Sequence, residues 1–132
     1  MDDSDLIKQA ETALDSAYVP YSEYRVGAAI ETDDGTVFTG CNIETANYSN
    51  SLHAEEIAVG TAVAAGHQSF SRLAVVSSAR DGVTPCGMCR QTLAEFCNEE
   101  LRILCAVEDG IEAYTLGALL PAAISRDTLE NA

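Results

Sequence analysis

The sequence predicts an α/β fold, a mixed sheet with helices on both faces. Helical periodicity in three stretches, short valine- and isoleucine-rich runs bounded by turn residues, and the order α-β-β-α-β-α-β-β-α carry this reading. Residues 5–18 place Leu6, Ile7, Ala10, Ala13, Leu14 and Ala17 at helical spacing, with Ser4 as the cap. Val19-Pro20-Tyr21-Ser22 then breaks the helix. Apolar runs over 26–30 and 36–39 flank Asp33-Asp34-Gly35, a hairpin signal. Residues 41–52 are small and polar, a loop, and a helix follows over 53–65, ended by Gly66. A valine-rich strand over 72–78 leads through a loop at 81–85 into a third helix over 86–97. Residues 101–107 form another strand, Asp109-Gly110 turns into a short strand at 113–115, and a helical turn ends before Pro121.

Composition bounds the function. With 132 residues the chain suits one domain and can bury about two-thirds of its unfolded surface. Its 47% hydrophobic content excludes wholesale disorder. No run approaches the ~18 apolar residues of a membrane helix, and Met1-Asp2-Asp3-Ser4-Asp5 does not resemble a secretory leader. The expectation is a soluble, cytoplasmic protein. Seven basic residues against 21 acidic ones give a net charge of −14, and Lys8 is the single lysine. Phosphate backbones and acidic membrane leaflets are bound by arrays of Lys and Arg, so neither nucleic acid nor membrane is an expected partner. The acidic residues are dispersed from Asp2 to Glu130, a solvated surface suited to concentrated salt, and a halophilic source is expected.

The cysteines at 41, 86, 89, 97 and 105 are odd in number, which argues against a disulfide framework. Cys41, Cys97 and Cys105 sit in apolar or strand-end surroundings and read as core. Cys86 and Cys89 differ, sharing a C-x-x-C spacing after Pro85. His53-Ala54-Glu55 and Pro85-Cys86-Gly87-Met88-Cys89 each open a predicted helix. One imidazole and two thiolates are a natural zinc set that leaves a fourth position open, and helix N-termini favour thiolate over thiol. Zinc with an open position brings the pKa of water from ~16 to roughly 7. Glu55, two residues from a ligand, is placed to carry the proton. Taken singly, a lone His, a redox C-x-x-C or a helix-opening Glu each has a plain structural reading. The pair H-x-E and P-C-x-x-C in this order is the zinc deaminase signature.

Tyr18-Val19-Pro20-Tyr21-Ser22, Val26-Gly27-Ala28-Ala29, Gly40-Cys41-Asn42-Ile43-Glu44, Pro85 through Gln91 and Leu119-Leu120-Pro121 extend the match over nearly the whole chain. On these segments the chain resembles the cytidine deaminases of the short, homotetrameric type. The resemblance implies a three-layer α/β/α fold with a mixed five-stranded sheet, a single domain over 1–132, one Zn2+ per subunit and a homotetramer. It implies hydrolytic deamination of cytidine and 2′-deoxycytidine to the uridines plus ammonia, a pyrimidine salvage reaction. On matching positions, His53, Cys86 and Cys89 would bind zinc. Hydroxide formed there would attack C4, while Glu55 passes a proton to N3 and helps protonate the departing ammonia. Asn42 and Glu44 would hold the ribose hydroxyls, Tyr24 would line the pocket, and the Ala54 backbone would fix the base. The chain carries no evident cationic clamp for a 5′-phosphate, which favours a free nucleoside.

Three positions depart from that pattern. Short members usually carry a third cysteine at the position of His53 and an arginine at that of Glu56. The two changes are coherent in charge: zinc with three thiolates is formally negative, whereas two thiolates and an imidazole leave it neutral. Glu56 reads equally as a carboxylate accepting from the free His53 ring nitrogen or as a solvent-facing residue of the first turn. Ile124 stands where the family has a phenylalanine that stacks on the base in a neighbouring subunit. Rival readings are a non-catalytic zinc protein, a deaminase of another aminated heterocycle, a nucleic-acid cytosine deaminase and a disulfide oxidoreductase. The intact Glu55, the Asn42/Glu44 pair, the negative charge and the presence of His53 speak against them in turn.

Overall fold

In a computed structural model that describes residues 1–79 and 81–130, five strands form one sheet. Residues 80, 131 and 132, which the single-domain expectation includes, lie outside the described residues. The strands are β1 (Val26–Thr32), β2 (Val37–Cys41), β3 (Phe70–Ser77), β4 (Arg102–Val107) and β5 (Gly110–Thr115), in the order β2-β1-β3-β4-β5. β1 is antiparallel to both β2 and β3, β3 and β4 are parallel, and β4 and β5 are antiparallel. The parallel pair requires a crossover, which contains helix α3 (Gly87–Phe96).

Both faces of the sheet are covered, so β3 reads as a nearly continuous apolar run rather than an alternating one. Leu73 and Val75 pack in one cluster with Ala54, Ala58 and Ala62 of α2 (Ala54–Ala64) and Leu93 of α3. Ala74 and Val76 pack in the other with Leu6, Ile7 and Ala10 of α1 (Asp3–Leu14). This is the predicted three-layer α/β/α arrangement, and no described helix is long and apolar enough to cross a membrane.

Several boundaries differ from the sequence expectation; β5, for one, starts at Gly110 rather than 113. The cap of α1 is Asp2, not Ser4. Its carboxylate accepts the Asp5 N–H at 2.9 Å while the Asp5 carboxylate accepts the Asp2 N–H at 3.1 Å, a reciprocal box that an anion at a helix N-terminus strengthens. α1 ends at Leu14 rather than running to 18: the N–H groups of Ser16 and Ala17 bond three residues back instead of four, and the Arg25 guanidinium donates to the carbonyls of Leu14 (3.1 Å) and Ala17 (2.9 Å). The final helices α4 (Leu116–Leu119) and α5 (Arg126–Glu130) bracket a C-terminal stretch; α5 buries no residue and so leaves no apolar period to read.

Two ties place the helices. A Cβ on Gly40 of β2 would fall 2.3 Å from the Ala54 carbonyl oxygen and 2.5 Å from the Ala58 nitrogen, so only glycine lets the start of α2 lie directly on the strand. At the opposite end of the sheet, Asp3 accepts from Arg72 at 2.8 Å and from Arg102 at 2.7 and 2.9 Å. Arg72 also faces Glu31 across the β1–β3 pair, with Nε 2.8 Å from Oε1.

Candidate active site

The N-termini of α2 and α3 converge at one end of the sheet, beside Val26 at the start of β1 and Val75 near the end of β3. His53 is the N-cap of α2, Cys86 the N-cap of α3, and Cys89 stands three residues further, on the same face of the first turn. The His53 Nδ1 lies 3.2 Å from the Cys86 Sγ and 3.4 Å from the Cys89 Sγ. Tetrahedral zinc, with bonds of about 2.3 Å to sulfur and 2.0–2.1 Å to nitrogen, spaces such ligands about 3.5 Å apart. The donor set fits: all three ligand atoms lie within 4.8 Å of one another, placed to bind a metal ion. Burial pushes the Cys89 thiol strongly up, and the Glu55 charge adds to this. Such a thiol ionises when a cation stands against it.

A cavity of about 220 Å³ opens over this cluster, lined among others by Asn42, His53, Ala54, Glu55 and Cys86. Cys89 lies below it, 1% exposed. Glu55, 6% exposed, is one of two buried polar or charged residues among the described ones, and burial raises its carboxyl above the usual carboxylate range. A carboxyl so placed holds a proton more readily than a surface glutamate, which is what a proton carrier near neutral pH requires.

The remaining sequence-predicted residues are distributed less tightly. Asn42 reaches the cavity with its amide partly engaged: Oδ1 accepts the Val26 N–H at 3.0 Å and Nδ2 donates to the Tyr24 carbonyl at 2.8 Å. One lone pair and one N–H remain for a ligand. Glu44 lines a second depression with Tyr21, Ser22, Tyr48 and Ser51. Its carboxylate accepts from the Ser22 hydroxyl and from the N–H groups of Tyr21 and Ser22, both at 3.1 Å. Those bonds, the Ser22 hydroxyl first, hold its carboxyl below the usual range. The half-buried Tyr24 meets Asn42 through its backbone and is not among the residues lining either depression. Glu56 stands in the first turn of α2 as the plainer expectation had it, half-buried, and its carboxylate accepts the His53 backbone N–H at 2.6 Å, which fixes the ligand's main chain rather than its ring. Ile124 is 59% exposed, with its carbonyl held by the Gln91 amide at 2.8 Å.

Sequence reasoning missed the apolar wall made by Val26, Val75 and Val83, and Thr84 beside it. Nothing in the local pattern of a buried strand separates a valine facing a cavity from one facing the core. Thr84 could have been found, since it lies two residues ahead of Cys86.

Residues 1–105 match the cytidine and deoxycytidylate deaminase zinc-binding region. The cytidine deaminase of Sporosarcina psychrophila is 45% identical over 133 aligned residues, covering 100% of this chain and 98% of its own. That of Mycobacterium tuberculosis strain H37Rv is 41% identical, covering 91% and 87%. Among solved structures, the cytidine deaminase from Burkholderia pseudomallei superposes with a TM-score of 0.89 at 38% identity, covering 94% of this chain and all of the other. The M. tuberculosis structure gives 0.83 at 40% identity, covering 94% and 98%. With the family model matching residues 1–105, a relative 45% identical over the whole chain and a solved cytidine deaminase superposing at a TM-score of 0.89, the chain belongs to the cytidine deaminase family of zinc-dependent deaminases.

Proposed function

We propose that the protein hydrolyses cytidine and 2′-deoxycytidine to uridine and 2′-deoxyuridine with release of ammonia, serving pyrimidine salvage in the cytoplasm. The observation that carries this reading is Glu55, a buried carboxyl lining the same cavity as the His53, Cys86 and Cys89 cluster. His53, Cys86 and Cys89 would hold the zinc. Zinc bound with an open position supplies a water acidified to roughly pKa 7. Glu55 is the one carboxylate among the residues lining the cavity. It takes the proton of the attacking water and delivers it to N3 of the pyrimidine as the C4–O bond forms. It then carries the second proton to the amino group as the C4–N bond breaks and ammonia leaves. The Ala54 backbone, 1% exposed at the start of α2, fixes the base beside Glu55. Asn42 offers its remaining amide valences to the ribose, and Glu44 and Tyr24, which lie outside the cavity lining, are assigned to the sugar side by the family resemblance.

Among the described residues, those lining the cavity include no lysine or arginine, which supports a free nucleoside over a 5′-phosphate. Exposed Tyr18, Tyr21, Tyr48 and Leu52 offer an apolar surface suited to the homotetramer expected of a short family member. The 132 residues act as one domain, and the net charge of −14 suits a halophilic source.

The test is to follow loss of cytidine absorbance by the zinc-loaded protein across a salt series, with Glu55→Gln and cytidine 5′-monophosphate alongside. Turnover of the two nucleosides, with Glu55→Gln reduced at least about 100-fold and the nucleotide untouched, is the expected result. A folded, zinc-loaded wild type that leaves both nucleosides unchanged would move the function to another aminated substrate. Full stability and activity without salt would remove the halophilic reading.

A further inference from the structure

Arg90 occupies an electrostatically awkward position: fourth in α3, where the positive end of the helix dipole disfavours a cation, and next to Cys89. Its guanidinium reaches three acceptors from three different residues. Nε donates to the Pro85 carbonyl at 2.7 Å, Nη2 to the Thr84 hydroxyl at 3.0 Å, and Nη1 to the Leu119 carbonyl at 2.8 Å. Thr84 and Pro85 are the residues immediately before Cys86, and Thr84 lines the cavity. Pro85 is fully buried, so its carbonyl depends on a protein donor. Leu119 is the last residue of α4, from which the chain runs on to Ile124.

We infer that Arg90 is a positioning residue for the metal-binding end of the site. It clamps residues 84–85 to α3, fixing Cys86 relative to Cys89 and His53, and it anchors the end of α4 to the same helix. The Arg90 N–H donates at 2.9 Å to the Cys86 carbonyl, so one residue holds the Cys86 main chain from within the helix and its approach from outside. A planar fork can serve three acceptors in fixed directions; a lysine, with a single nitrogen on a flexible stem, cannot reproduce it. The adjacent Gln91, bonded to the Ile124 carbonyl, extends the contact between α3 and the C-terminal stretch.

The inference draws on the deaminase reading for its kinetic readout, but its metal readout is independent. Zinc affinity is measured by competition with a chelator, and the site geometry by the absorption spectrum of the Co2+-substituted protein. Melting of the metal-free protein reports folding separately. Arg90→Met is expected to weaken zinc binding about 10-fold or more, to shift the Co2+ bands, and to lower kcat at saturating zinc. Arg90→Lys is expected to fall closer to Arg90→Met than to wild type. Zinc affinity within about twofold of wild type and an unchanged Co2+ spectrum in Arg90→Met would overturn the inference, including where the melting temperature alone falls. If Arg90→Met does not fold, Arg90→Lys decides on the same criterion. The metal readouts decide the matter whether or not the wild type deaminates cytidine.

Discussion

Gly40→Ala tests whether the site depends on the contact between β2 and α2. The added methyl would stand 2.3 Å from the Ala54 oxygen, 2.5 Å from the Ala58 nitrogen and 3.0 Å from the Ile57 Cβ. Ordinary contacts are about 3.5 Å, so the start of α2 must retreat by about 1 Å. Both close atoms are helix backbone, so no side chain can rotate out of the way. Forcing such a shift in a packed layer costs about 1–3 kcal/mol. The displaced turn carries His53 and Glu55, and a misplacement of about 1 Å at reacting groups can lower turnover about 100-fold. Gly60→Ala is the matched control: it lies in the same helix, with nothing within 4 Å of an added Cβ, and should gain about 0.5–1 kcal/mol. Urea unfolding, zinc competition and kcat measured on both variants decide the point. Gly40→Ala within about 0.5 kcal/mol of wild type, with zinc affinity and kcat unchanged, would refute the reasoning.

Arg25→Ala removes the donor to the carbonyls at the end of α1 and should lower stability by about 0.5–1 kcal/mol by urea unfolding, without altering kcat. Arg72→Leu leaves Glu31, whose side chain is 13% exposed, without its partner and should cost about 3 kcal/mol at neutral pH; a loss below that of an exposed pair would show the network to be dispensable. Hydrogen bonds first from Arg102 and then from Arg72 hold the Asp3 carboxyl down to about 2, and Arg72 lowers that of Glu31. Because these pKa values are depressed in the folded state, their contribution is complete above about pH 4 and is lost as pH falls through about 2. Zinc-free wild type should therefore lose more stability over that window than zinc-free Arg72→Leu, measured by urea midpoints. Ile124→Phe should lower the KM for cytidine about 2- to 10-fold at constant kcat, from an aromatic contact of about 0.5–1.5 kcal/mol; an unchanged or raised KM would show that position 124 does not reach the base.

The elements that place the chemistry were legible because their signals are short-range. The motifs at 53–55 and 85–89 stand at the starts of helices that the sequence already predicts, and the structure brings the three ligand atoms within 4.8 Å. Asn42 could be placed at the site by resemblance, but its hold on Val26 and Tyr24 is tertiary and leaves no local trace. Glu56 shows the same limit. Its spacing from His53 allowed a bond to either the ring or the main chain, and only the backbone path of 53–56 selected the main-chain N–H. Ser4 was misread as a cap because both Asp2 and Ser4 are good capping residues two positions apart; Asp5, three residues after Asp2, closes the box on the earlier one. The α5 helix was missed because its residues are exposed on every side and no apolar stripe marks it.

The scarcity of cations gains meaning from where the structure places them. Arg25 donates to the carbonyls at the end of α1, Arg72 and Arg102 hold Asp3, and Arg90 clamps residues 84–85 and Leu119. Four of the seven basic residues thus serve internal ties, and little positive charge remains to offset the 21 acidic ones at the surface. A surface so arranged repels phosphate esters at long range, and among the described residues the cavity lining holds no cation. On the proposed reading, discrimination between nucleoside and nucleotide would need no dedicated gate. It would follow from using guanidinium groups for architecture, and salt should then modulate it, because screening at high ionic strength weakens the long-range repulsion.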